Sequence, residues 1–246
     1  MRMNTVASPS RIRHRTHASM TKLTLEKRAA EVISLLKKAY PAARCALNFS
    51  SPEELLVATI LSAQSTDSTV NLVTPVLFST FPVPDRLAGA PISDIERIIK
   101  PCGYYHQKAR YIKGTCAMLL NEYGGKVPRS LDKLLSLPGV ARKTANVVLS
   151  VAFGINEGIA VDTHVLRLSG RLGFTFSSNP VIVERELMQI VERKNWGDFT
   201  TLLITHGRKI CTARRPLCGN CTLNRVCPSA FTFSPAQAIH HRRRGA

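Results

Sequence analysis

An all-α fold is what this sequence predicts, and three observations carry that reading. Apolar residues recur at helical spacing in one segment after another. Gly and Pro punctuate those segments at short intervals, which marks turns between brief helices. No stretch alternates apolar and polar residues over the length of a strand. The 246 residues, 44% of them hydrophobic, suffice to bury one sizeable core or two modest ones.

The expected helices number about ten, joined by Gly and Pro turns. "TLEKRAAEVISLLKKAY" sets Ala29, Val32, Ile33, Leu36 and Tyr40 at helical spacing, with Thr24 as the cap. "SPEELLVATILSAQ" opens with Ser51 as N-cap and Pro52 in the first turn, where its missing N–H is harmless. "STDSTVNLVTPVLFSTF" continues helically, but Pro75 is expected to kink or end it. Further helices are expected at "PISDIERIIK", "YHQKARYIKGTCAMLLNEY", "SLDKLLSL", "ARKTANVVLSVAF", "VDTHVLRLSGRL" and "NPVIVERELMQIVERK".

Charge narrows the choice of partner. The chain carries 34 Lys and Arg against 16 Asp and Glu, a net +18, which predicts attraction to polyanions, nucleic acid first among them. Residues 1–24 hold five of the cations and Arg242 to Arg244 three more, so +10 remains on the body. No apolar run approaches the roughly 18 residues needed to span a bilayer, and no hydrophobic signal segment follows the first basic residues. An intracellular protein without a membrane partner is expected, in the cytoplasm or nucleoid if the source is bacterial. Residues 1–23 read as a disordered basic tail, although their acid-free, Arg- and Ser-containing composition also fits an organellar transit peptide. Met20 is an alternative start to Met1, and residues 232–246 form a second basic tail.

"SLDKLLSLPGVARKTANVVLSVA" reads as helix, tight turn, helix. Gly139 permits a positive φ, and the second helix starts with exposed N–H groups at its positive dipole end. Such a hairpin can hold a DNA phosphate by main chain alone, whatever the base sequence, or it can be an ordinary helical connection. Arg142 and Lys143 follow the turn directly. An ordinary lysine has a pKa of about 10.4 and is overwhelmingly protonated near neutral pH. A nucleophilic amine needs desolvation or cationic neighbours, and an adjacent arginine at a helix start is a setting of that kind. In "IAVDTHVLRLSGRLG", Asp162 precedes a helical run; it reads equally as an N-cap and as a catalytic carboxylate, two roles that are compatible. His164 reads as a structural hydrogen-bonder.

Four of the seven cysteines form Cys211-x6-Cys218-x2-Cys221-x5-Cys227, within 17 residues. Such crowding in a chain read as intracellular argues for a metal site over disulfides. One CxxC flanked by two lone cysteines suits an iron–sulfur cubane with one Cys per iron, zinc being the alternative. Cys45, Cys102 and Cys116 are scattered and read as core. The loop between Cys211 and Cys218 carries Arg214 and Arg215, which suit phosphate contact or offset thiolate charge.

Taken together, "LPGVARKTANVVL", "AVDTHVLRLSGRLG", "LSAQSTD", "HGRKIC" and the cysteine tail resemble the endonuclease III family of helix-hairpin-helix DNA glycosylase/AP lyases, from about residue 25 to 231. The resemblance implies two α-helical lobes flanking a DNA-binding cleft: a six-helix barrel with the helix-hairpin-helix at 45–155, and an iron–sulfur cluster lobe from 24–44 and 156–231. It implies a [4Fe-4S] cluster on Cys211, Cys218, Cys221 and Cys227, and a partner in double-stranded DNA containing damaged pyrimidines or abasic sites, bound by a monomer. By position, Lys143 matches the family's Schiff-base nucleophile and Asp162 its catalytic carboxylate. Gln64 matches the residue that fills the gap left by an extruded base. Asp67 lies in the same stretch and is expected to line the pocket. Gly139, Ala141 and Arg142 fall in the DNA-gripping hairpin, and Tyr104 in the wedge that enters the opposite strand. Two residues depart from the family pattern: Ala141 stands where it has Gly, and Tyr104 where it has Leu. A monofunctional adenine glycosylase is the rival enzyme, but it generally lacks a lysine at position 143. A DNA-binding or redox-sensing module would need neither Lys143 nor Asp162, and a zinc-stabilised RNA binder would lack the brown colour of an iron–sulfur protein.

Overall fold

The structure, a computed structural model, describes residues 22–233. The expectations for the two basic tails therefore fall almost wholly outside the described residues. Within them the chain forms eleven α-helices and three short 3₁₀ turns and no strand, so the all-α expectation is borne out.

Helix α1 spans Lys22–Ala39. Thr24 lies inside it and is not its cap, because the helix begins two residues earlier. Its buried stripe is Ala29, Val32, Ile33 and Leu36. Helix α2 (Pro52–Leu61) starts as expected, with the Ser51 hydroxyl accepting from the Glu54 N–H at 3.2 Å. Helix α3 (Asp67–Thr80) corrects the expectation at Pro75, since it runs five residues beyond the proline. Pro75 is exposed, where water can take up the carbonyl it frees, while Val73, Thr74 and Leu77 anchor both sides of it in the core. Helix α4 (Asp85–Gly89) is a short element without a sequence signal. Then follow α5 (Ile92–Ile99), α6 (Tyr105–Tyr123), α7 (Leu131–Leu135), α8 (Arg142–Phe153), α9 (Thr163–Arg171) and α10 (Pro180–Ile190). Helix α11 (Trp196–Lys209) is absent from the sequence reading, although Trp196, Phe199, Leu203 and His206 form a buried stripe. Gly197, Thr200, Thr201 and Thr205 dilute its helical propensity, and packing makes up the difference.

Two cores divide these helices. One gathers α2 to α8 around Leu55, Leu56, Ile60, Ile95, Ile112 and Leu149. The other joins α1 to α9, α10 and α11 around Val32, Leu36, Val165, Leu187, Phe199 and Leu203. The N-terminal helix thus packs with the C-terminal third of the chain. Among the described residues no helix is long and apolar enough to cross a membrane.

Candidate active site

The turn between α7 and α8 is set by one glycine. Gly139 has φ +75°, and a Cβ there would lie 2.6 Å from the Tyr111 ring, so conformation and space both require Gly. The Thr115 hydroxyl donates to the Pro138 carbonyl at 2.7 Å and seats the turn on α6. Ala141 has φ −89° and ψ 168°, extended backbone that any residue adopts, so the missing family glycine leaves the main chain undistorted. Because Ala141 has no side chain to cap α8, the N–H groups of that helix's first turn stay open.

Lys143 is exposed in that first turn and lines a cavity of about 130 Å³. The same cavity receives Asp162 and Asp67, along with Thr200, Thr201 and Arg208. It lies where the two cores meet, with Lys143 from one and the α11 residues from the other. Asp162 caps α9 through Oδ1 alone, which accepts from the His164 and Val165 N–H groups at 2.8 Å each. Cap and cavity residue are therefore one and the same. Asp67 is held by Arg208, whose Nη2 lies 2.6 Å from Oδ2. His164 turns to Arg167 (3.2 Å), and burial pushes its pKa down.

Two exposed residues hold left-handed backbone, Gln64 (φ 53°) and Tyr104 (φ 50°). Tyr104 is 71% exposed, whereas the neighbouring Tyr105 packs against the first core and the His106 ring. Arg142 is not free: its Nε donates to Glu184 Oε2 at 2.8 Å.

Cys211, Cys218, Cys221 and Cys227 all line one small cavity of about 20 Å³ with Arg171 and Phe233. Burial first, then the nearby thiols, raise the pKa of Cys221 and Cys227, which favours the neutral thiol in the absence of a bound cation. Arg171 braces the loop, donating to Cys211 Sγ (3.1 Å) and to the carbonyls of Thr212 (2.8 Å) and Ala213 (2.9 Å). Thiols are the soft donors that iron and zinc take, and all four line this one cavity, although among the described residues no three of them stand close enough together to hold a metal ion. Arg214 and Arg215 are exposed and form no ion pair among the described residues.

Residues 57–193, more than half the chain, match the family described as HhH-GPD superfamily base excision DNA repair protein. The chain belongs to this superfamily. Endonuclease III of Synechocystis sp. is 50% identical over 205 residues, 83% of this chain and 94% of that protein. Endonuclease III of Escherichia coli is 42% identical over 197 residues, 80% of this chain and 93% of that protein. A solved non-covalent endonuclease III–DNA complex superposes with a TM-score of 0.78 at 42% identity, covering 86% of this chain and 97% of that one. The expected family and enzyme class, a DNA glycosylase and AP lyase of base excision repair, are borne out.

Three residues of this HhH-GPD chain escaped the sequence reading. Arg208 was present in "HGRKIC", yet nothing local pairs it with Asp67, 141 positions earlier. Glu184 is buried between Arg142 and Asn146 Nδ2 (2.8 Å), a link between α10 and α8 visible only in three dimensions. Lys108 lies in an exposed-looking basic stretch but is only 3% exposed.

Proposed function

We infer that this chain removes oxidised pyrimidines from double-stranded DNA and cuts the strand at the resulting abasic site, with Lys143 as nucleophile. The observation that carries the reading is the shared cavity, in which an accessible amine and a fixed carboxylate face one space. The Lys143 amine, once deprotonated, attacks C1′ and the damaged base leaves with the glycosidic electron pair. The C1′–O4′ bond then opens, O4′ takes up the proton that the attacking amine loses, and the ring-opened sugar is held as an iminium to Nζ. Loss of a C2′ proton expels the 3′ phosphate by β-elimination, and water releases the enzyme. Asp162, whose Oδ2 makes no hydrogen bond among the described residues, is positioned to stabilise positive charge on the sugar and to manage these protons.

The open N–H groups of α8, with Gly139 and Ala141, would take a phosphate on one side of the lesion. Arg214 and Arg215 would take phosphates near the cysteine loop, and Arg142 would approach DNA while braced by Glu184. Gln64 would fill the gap left by the extruded base, and Tyr104 would stack on its orphaned partner. The fold would work as a monomer with a barrel at 45–155 and a cluster lobe from 24–44 and 156–231. Cys211, Cys218, Cys221 and Cys227 would hold a [4Fe-4S] cluster, whose contribution is to tie the C-terminal loop into a rigid DNA-facing surface. Action on chromosomal DNA carries an intracellular location with it.

Borohydride trapping on abasic and oxidised-pyrimidine duplexes tests the assignment. Lys143→Ala is expected to abolish the trapped adduct and strand cleavage while leaving DNA binding within about threefold. Undiminished trapping in that variant would sink it.

A further inference from the structure

Gln64 and Tyr104 lie forty residues apart in sequence, on loops with no secondary structure in common, and both hold the uncommon left-handed backbone. One buried side chain joins those loops. Lys108, in the first turn of α6, extends its ammonium between them and donates to the Ser65 hydroxyl at 2.7 Å and to the Cys102 carbonyl at 2.5 Å. Ser65 follows Gln64 directly, and its hydroxyl in turn donates to the same Cys102 carbonyl at 2.7 Å. Tyr104 is bracketed, because the Lys108 amide also donates to the Tyr104 carbonyl at 3.1 Å.

Stability alone does not account for a charge in this place. Lys108 is buried, its side-chain partners are a neutral hydroxyl and a neutral carbonyl, and desolvation pushes its pKa down. Enclosing an ammonium without a carboxylate costs free energy, and apolar side chains of similar volume often replace buried charges without loss. Nor is the charge needed to satisfy Cys102, whose carbonyl already receives the Ser65 hydroxyl. What an ammonium adds is two charge-assisted bonds in fixed directions, one to each loop.

We propose that Lys108 is a positioning residue that locks the Gln64 and Tyr104 loops into one rigid unit, so that the two side chains enter DNA together at a damaged site. This rests on the insertion roles proposed above for Gln64 and Tyr104. Held at a fixed separation, the pair fills the vacated stack and meets the orphaned base in one event, and the ordering cost is met during folding, before DNA arrives. Untethered, each loop would have to be ordered separately on the duplex.

The test compares full-length protein with Lys108→Met and Ser65→Ala, alongside Gln64→Ala and Tyr104→Ala. Each is titrated with an intact duplex and with one carrying a tetrahydrofuran abasic analogue opposite 2-aminopurine, whose emission reports unstacking. Lys108→Met is expected to melt at or above the wild-type temperature yet lose roughly tenfold in preference for the abasic duplex, with a weakened 2-aminopurine signal. Borohydride trapping on single-stranded abasic DNA, where no gap needs filling, should be unchanged. A double-mutant cycle should find Gln64 and Tyr104 coupled in the wild type and additive in the Lys108→Met background. If Lys108→Met keeps the abasic preference while Gln64→Ala and Tyr104→Ala lose it, the lock is wrong and insertion stands. If neither Gln64→Ala nor Tyr104→Ala alters the preference, insertion itself fails and the lock with it. Equal loss on both duplexes with a shallower salt dependence would make Lys108 a phosphate attractant instead. Should Lys108→Met not fold, Ser65→Ala decides, since it cuts one arm of the link and keeps the charge.

Discussion

Both hydrogen bonds accepted by Asp162 end on Oδ1, so exchanging Oδ2 for an amide leaves the cap of α9 in place. Asparagine caps helices as well as aspartate does. Asp162→Asn is therefore expected to melt within about 2 °C of the wild type while base excision falls at least a hundredfold, whereas Asp162→Ala should also lose about 1 kcal/mol of stability. Thermal melts run beside single-turnover kinetics separate the two roles; parallel loss of stability and rate in Asp162→Asn would leave only the cap. Gly139 offers a contrasting case. An added methyl meets the Tyr111 ring at 2.6 Å and must also hold φ +75°, so Gly139→Ala should cost about 2–3 kcal/mol, read from the denaturant midpoint. The neighbouring Ala141 shows why the same argument does not extend two residues further. Its extended φ asks nothing of glycine, and any effect of its methyl must arise against DNA rather than within the fold.

The hairpin element is braced from outside itself. Glu184 on α10 accepts from Arg142 Nε and Asn146 Nδ2, and Gly158 lies so close that a Cβ there would be 2.2 Å from its Oε1. Arg142 is 43% exposed, which discounts the ion pair. Glu184→Gln should cost about 1–2 kcal/mol by melting, slow excision by loosening the start of α8, and raise affinity for undamaged DNA by leaving the half-exposed Arg142 without its counter-charge. Faster excision at reduced stability would contradict the bracing role. Most of the helices were legible because their apolar stripes and caps are local, as Ser51 and α2 show. What stayed hidden depends on distance in the chain. Asp67 is expected at the pocket while its partner Arg208 is not, and the sequence reading sets Arg142 beside Lys143 in the hairpin without its ion pair, because Glu184 comes 42 residues later. Lys108 could not be told from surface lysines, since its burial is created by loops that sequence places far apart. Pro75 misled for the opposite reason: its local rule is sound, but solvent on one side and core on the other let α3 continue.

At the scale of the whole molecule, the net charge of +18 predicts steep salt dependence of DNA binding. The exposed, unpaired Arg214 and Arg215 should each account for about one released counterion, so single alanine substitutions lower the salt slope by about that amount on damaged and undamaged duplexes alike. An unchanged slope would mean that they only balance the charge of the thiolates. The two cores also have different histories during synthesis. The core that gathers α2 to α8 is contiguous in sequence and can close as soon as α8 leaves the ribosome. Helix α1, the first of the described helices, shares its core with α9, α10 and α11, which begin more than 120 residues later. At roughly 5–20 residues per second its apolar stripe, Ala29, Val32, Ile33 and Leu36, waits on the order of ten seconds with nothing to cover it. During that interval a nascent chain carries a finished helical hairpin and an unburied helix at once. Stalled translation should therefore yield aggregates and chaperone-bound fragments rather than a half-enzyme loose on the chromosome.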